Sequence, residues 1–183
     1  MLFPGGRLPL RIFETRYMDM AKACLRDATP FGVCLIVEGR EVGAPAIPAP
    51  VGTLARIAQW DMPQLGLLNV LAEGAQRFRI LERRVQPDGL ALASVALLED
   101  ERDAPIPKGA EVCARLLERM IAEQPALFAE PRRLDSSAWV AARLAELLPL
   151  PLELKQELLE LGAGDARLER ISRLLRADAR SAS

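Results

Sequence analysis

The spacing of hydrophobic and polar positions changes period part-way along the chain. From Leu8 to about Leu98, short apolar runs alternate with Pro and Gly. They predict extended segments near Leu8–Phe13, Phe31–Glu38, Val51–Trp60, Leu65–Glu73, Gln76–Val85 and Leu90–Leu98. Pro87-Asp88-Gly89 reads as a hairpin turn between the last two, because Gly89 reaches positive φ without a steric cost. Ala72-Glu73-Gly74-Ala75 reads as a turn between the pair before. One helix is expected inside this β region: Tyr17, Ala21, Cys24 and Leu25 fall at i, i+4, i+7 and i+8 between Thr15 and Arg26, and Thr29-Pro30 stops it. Arg40–Pro50, with Pro45, Pro48 and Pro50, is expected as an extended loop or edge arm rather than the SH3-type ligand its P-x-x-P spacing could suggest.

Beyond the acidic run Glu99-Asp100-Glu101 the period becomes helical. Val112, Leu116, Leu117, Met120 and Ile121 form one stripe; Trp139, Val140, Leu144, Leu147 and Leu148 form another, with Asp135 or Ser136 as N-cap and Trp139 in the core. Pro151 opens a third helix with Leu154, Leu158 and Leu161 inward and Gly162 after it; Asp165 caps a fourth carrying Leu168, Ile171, Leu174 and Leu175. Ser181-Ala182-Ser183 is expected to be disordered. Strands first and helices after predict an α+β fold in two segregated parts, a β part over 1–103 and a helical part over 104–183.

Composition narrows the chemistry. The chain has 183 residues, half of them hydrophobic, with a net charge of -1. It lacks the basic excess of a nucleic-acid binder. With no histidine, His-based triads and His metal sites are excluded. Cys24, Cys34 and Cys113 form no CxxC pair, and scattered thiols fit a reducing cytoplasm. No apolar run reaches the length of a membrane span, and the N-terminus shows no signal peptide. A cytoplasmic chain without metal or cofactor is expected.

The candidate catalytic groups are poor. None of the three lysines, Lys22, Lys108 and Lys155, follows a glycine in a phosphate-cradling loop. A Ser-Lys dyad needs no histidine, but nothing around Ser94, Ser136, Ser137 or Ser172 marks an activated nucleophile. Glu99-Asp100-Glu101 and Asp103 read as a solvated linker rather than an acid/base pair. Two patterns remain for binding. Period 2 in Gln76–Ile80 places Phe78 inward and Arg77 and Arg79 on the other face, where they are either solvated or meet a ligand. Trp60, Met62 and Leu65 carry large apolar groups in what should be a loop; packing down is the commoner outcome, meeting a partner the other.

The stretch Leu2-Phe3-Pro4-Gly5-Gly6 through Leu8-Pro9-Leu10-Arg11-Ile12-Phe13-Glu14-Thr15-Arg16-Tyr17 resembles the opening signature of the N-terminal, substrate-binding domain of Lon proteases. Phe31-Gly32-Val33, Val51-Gly52-Thr53, Gly74-Ala75-Gln76-Arg77-Phe78-Arg79-Ile80 and Pro149-Leu150-Pro151 match later blocks in order. The resemblance implies a PUA-like β pseudobarrel with one inserted helix, then a bundle of about four helices. Glu14, Arg16, Tyr17 and Phe78 are then structural signature residues. Separately, a carboxylate at a strand-to-helix junction accepts from free helix N–H groups or pairs with an arginine, so Glu14 is expected to be largely buried and bonded to one of these, Arg77 or Arg16 first. The family's ATPase and Ser-Lys protease modules have no counterpart here, so the resemblance implies non-catalytic recognition of unfolded or apolar polypeptide segments, alongside a protease or chaperone partner. Trp60, Met62, Leu65, Arg77 and Arg79 are the expected client-binding residues. Members usually carry a further strand before the signature block; a sequence that begins at the block has a misassigned start, is trimmed, or forms a barrel that lacks a strand and exposes an edge. The rival readings are an RNA-binding PUA-like protein and, behind it, a Ser-Lys hydrolase.

Overall fold

The computed structural model describes residues 1–40, 46–99, 104–125, 128 and 130–181, with side chains to residue 177. The centre of the P-x-x-P arm, most of the acidic run and the last two residues lie outside these. Two compact units divide the chain, Met1–Glu99 and Asp100–Ser183.

The first unit is a five-stranded antiparallel sheet with one helix. Its strands are β1 (Arg7–Ile12), β2 (Phe31–Glu38), β3 (Ile47–Gln64), β4 (Leu67–Val85) and β5 (Ala91–Leu97), and helix α1 (Thr15–Asp27) links β1 to β2. The order is β1-β4-β3-β2, with β5 also on β4. Strand β4 is the spine. One edge pairs with β3 from Leu67 to Arg79, and the other takes β1 from Leu68 to Glu73 and β5 from Phe78 to Val85. Leu68, Val70, Ala72, Ala55 and Ile12 face Met18 and Ala21 of α1 to make the core, joined by Leu2.

Two expected breaks are absent. Ala72–Ala75 is no turn; β4 runs straight through it. Gly74 is required there for another reason. An added Cβ would lie 2.2 Å from the Phe3 carbonyl oxygen, because the Phe3–Gly6 segment crosses over it. That crossing is held by Gly5 N–H donating to the Gly74 carbonyl and Gly74 N–H donating to the Gly6 carbonyl, at 2.8 and 2.9 Å. It buries Leu2 and Phe3, and the Thr53 hydroxyl donates to the Leu2 carbonyl at 2.8 Å. The second absent break is the loop expected from Trp60 to Leu65. β3 continues to Gln64, and the turn is only Leu65-Gly66. Pro63 sits beside a register shift, where a strand tolerates a missing N–H. The expected arm likewise yields its last residues, Ile47–Pro50, to β3.

Other local expectations hold. Gly89 has φ +85 in the β4–β5 turn. Ala28, in the left-handed region, closes α1, and Thr29 N–H donates back to Cys24.

The second unit contains α2 (Glu111–Glu123), α3 (Ser137–Leu147), α4 (Leu152–Glu160) and α5 (Gly164–Ser181). Ser136 caps α3, its hydroxyl accepting from Trp139 N–H at 3.2 Å. Two expectations are corrected. On α2 the buried face is Cys113, Leu117 and Ile121, with Val112 exposed: the expected stripe joined two adjacent i, i+4, i+8 rows, and the one from Cys113 points inward. Trp139 is only half-buried, because small alanines and Val140, Leu144 fill the interior side of α3. Arg167 is fully buried; its guanidinium donates to the Leu158 and Leu161 carbonyls at 2.6 and 2.8 Å, closing the end of α4.

Candidate functional site: an apolar hairpin end

Glu14 sits at the junction of β1 and α1, partly buried, with its carboxylate 2.8 Å from the Arg16 guanidinium. Arg16 is buried, donates to the Gly89 carbonyl at 2.9 Å and stacks over the Tyr17 ring. The signature residues Glu14, Arg16 and Tyr17 thus tie the helix start to the β4–β5 turn. Phe78 is buried over Gly32 and Gly52, where a Cβ would strike its ring. These residues build the frame.

Arg77 is buried, not on an open arginine face. The period-2 reading assumed that only the Phe78 face is covered, whereas adjacent Arg77 and Phe78 are both buried, on opposite faces. Thr53 pairs with Arg77 but Ala55 with Gly74, so β4 carries an extra residue between them. One extra residue exchanges the two faces beyond it. Arg77 then shares the inner face with buried Thr53. Arg79 stays exposed, but lies about 30 Å along β4 from Val70 at the rise of an extended strand. The arginines and the apolar trio are not brought together.

The trio itself is open to solvent. Trp60 is 56% exposed, Met62 42% and Leu65 98%, so these groups have not packed down. The register explains Trp60. It faces Val70, which faces Leu10 on β1, so all three share one side of the sheet. Leu10 and Val70 are covered, whereas β2 stops pairing with β3 at Ala55 and, among the described residues, leaves Trp60 with no strand beyond it. Phe13, 57% exposed and one residue past the Ile12–Leu68 pair, lies at the same end of the sheet. Sequence reasoning missed Phe13 as a surface group. The signal was there: Leu8, Leu10 and Ile12 alternate inward, which puts Phe13 out of phase with the core.

No cluster of three or more Cys, Asp and Glu that could hold a metal occurs among the described residues. The serines named as candidates are not paired with lysine there. Ser172 donates to the Gly109 carbonyl and Lys155 to the Glu146 carbonyl. Burial pushes the Cys34 thiol up to about 11 and so keeps it protonated and unreactive at neutral pH. In the helical unit burial lowers the pKa of Arg143, partly offset by Glu146 at 2.9 Å.

The first unit is thus an α+β frame with exposed apolar groups at the end of the β3–β4 hairpin. The chain belongs to the family of the ATP-dependent protease La (LON) substrate-binding domain, whose model matches residues 1–177. A Lon N-terminal domain protein from Xanthomonas campestris superposes with a TM-score of 0.78 at 36% identity, covering 93% of this chain and 90% of that one. The N-terminal domain of a Mycobacterium avium complex Lon protease, at 19% identity and a TM-score of 0.64, shares the fold. Among curated proteins, Lon protease of Anaeromyxobacter dehalogenans is 28% identical over 96% of this chain, and protein cereblon of Gallus gallus 33% identical over 55% of it. The chain spans 22% of the length of each. No helix among the described residues is long and apolar enough to cross a membrane.

Proposed function

We propose that the chain is a non-catalytic polypeptide-recognition module that holds unfolded, apolar client segments at the end of the β3–β4 hairpin and passes them to a protease or chaperone partner. The exposure of Trp60, Met62 and Leu65 at the end of a hairpin with a two-residue turn carries this reading. Large apolar groups held in water on a rigid support lose little conformational freedom on binding. Trp and Met adapt to many side-chain shapes. Phe13 lies at the same end of the sheet but out of phase with the side Trp60 shares with Leu10 and Val70, and Arg79 lies outside the surface. Affinity in the micromolar range is expected, because ordering a flexible client offsets much of the gain. Membership of a substrate-binding family supports the reading, while the net charge of -1 weighs against an RNA ligand.

The test is a titration of Trp60 fluorescence, in a Trp139→Phe background, with a reduced and alkylated unfolded protein and with its native form. Binding of the unfolded form alone is expected. A Met62→Ser, Leu65→Ser variant should bind about tenfold or more weakly at unchanged melting temperature, each lost apolar contact being worth ~1.5 kcal/mol. Equal binding of both forms, or full binding by the variant, refutes the reading.

A further inference from the structure

The outer edge of β3 beyond Ala55 pairs with no strand among the described residues, since β2 reaches only from Phe31, opposite Ala55. This edge is exposed from Gln59 to Gln64, and Arg56 and Ala58 are exposed with it. A free edge offers a row of N–H and C=O groups to another strand. Its usable length is bounded, because the register shifts after Asp61 and Pro63 has no N–H to give.

The side chains along this stretch complement one another. Arg56 pairs across β4 with Glu73, itself bridged to Arg7 at 3.1 Å, and Asp61 pairs across with Asn69. Both therefore lie on the outer face, and neither has an ion pair among the described residues. Ile57 faces Ala72 and Trp60 faces Val70, which puts both on the core side. Ala58 is the extra residue between them. An antiparallel copy of the stretch, turned about a two-fold axis between Ala58 and Gln59, sets Arg56 opposite Asp61 and Ile57 opposite Trp60. It does so twice, with every pair on matching faces. Such self-complementarity is what a two-fold interface requires.

We propose that two copies of this chain pair edge to edge through Arg56–Asp61 of β3, continuing the sheet from one copy into the other. Six residues a side form a small interface, so the dimer is weak and reversible. It covers part of the Trp60 ring, and client and second copy compete for that ring while Leu65 stays open at the tip.

Sedimentation velocity of the full chain over a range up to about 100 μM is the test. A concentration-dependent monomer–dimer equilibrium is expected. Arg56→Asp or Asp61→Arg alone should weaken it about tenfold or more, as like charges then face each other twice. The double variant Arg56→Asp, Asp61→Arg should restore it, which a merely misfolded single variant could not do. A monomer throughout the range, a dimer indifferent to both single variants, or no restoration by the double variant overturns the proposal. If the protein stays monomeric while the two charges govern affinity for an unfolded client, the edge belongs to the client. Client binding is read separately, so either proposal can fail alone.

Discussion

Replacing Gly74 by alanine is expected to be far more damaging than a single methyl suggests. The new Cβ would meet the Phe3 carbonyl oxygen at 2.2 Å, with the Leu2 side chain and the Phe3 carbonyl carbon at 3.1 Å. Comfortable carbon contacts lie near 3.5 Å or beyond, so one of the two backbones must move by more than 1 Å. β4 cannot yield easily, being paired on both sides, so the Phe3–Gly6 segment lifts. Lifting it exposes Leu2 and Phe3, now 2% and 0% accessible, at about 1.5–3 kcal/mol each. It also strips the buried Thr53 hydroxyl of the Leu2 carbonyl, about 1–3 kcal/mol more. Partial relaxation recovers some of this, leaving an expected loss of ~3 kcal/mol or more from a total of ~5–15. Urea unfolding followed by Trp60 fluorescence in a Trp139→Phe background isolates the first unit. A loss below about 1 kcal/mol for Gly74→Ala would refute the crossing-strand account.

Two further outcomes are expected. Arg167→Leu removes the donors to the Leu158 and Leu161 carbonyls and should cost ~2–4 kcal/mol, read by thermal unfolding at Trp139 in the same unit. Burial raises the Cys34 thiol from 9.0 to about 11, so the folded chain holds that proton more tightly than the unfolded one. Its stabilising effect is complete below about pH 9 and is lost as pH rises through about 11. Cys34→Ala should therefore flatten part of the alkaline decline in melting temperature.

The order of elements was legible because period 2 and period 3.6 differ sharply over long stretches. The Pro87–Gly89 turn and the Ser136 cap were legible because each rests on a local backbone requirement. What failed was anything set by a neighbour. Gly74 looked like a turn residue, and only the crossing of Phe3 shows why it must be glycine. Arg77 looked outward until the extra residue on β4 exchanged the faces. Trp60, Met62 and Leu65 were recognisable as unusual from their chemistry, but their exposure depends on β2 ending its pairing at Ala55. That ending depends in turn on where α1 lets the chain re-enter the sheet, which no local pattern encodes.

The tip at Leu65-Gly66 has a consequence for how this fold can diversify. Nothing lies within 4 Å of a methyl placed on Gly66, and both flanking strands are anchored well away from it. Residues inserted there would meet open solvent, and each doubling of the loop would cost only about 0.6 kcal/mol in closure entropy. The hairpin is thus a graft point. Its length and sequence can drift, or be exchanged by design, while the Gly74 crossing and the Glu14–Arg16 clamp stay unchanged. Under the proposed recognition role, client range becomes a property that evolution or an engineer can rewrite in a handful of codons without reopening the problem of folding.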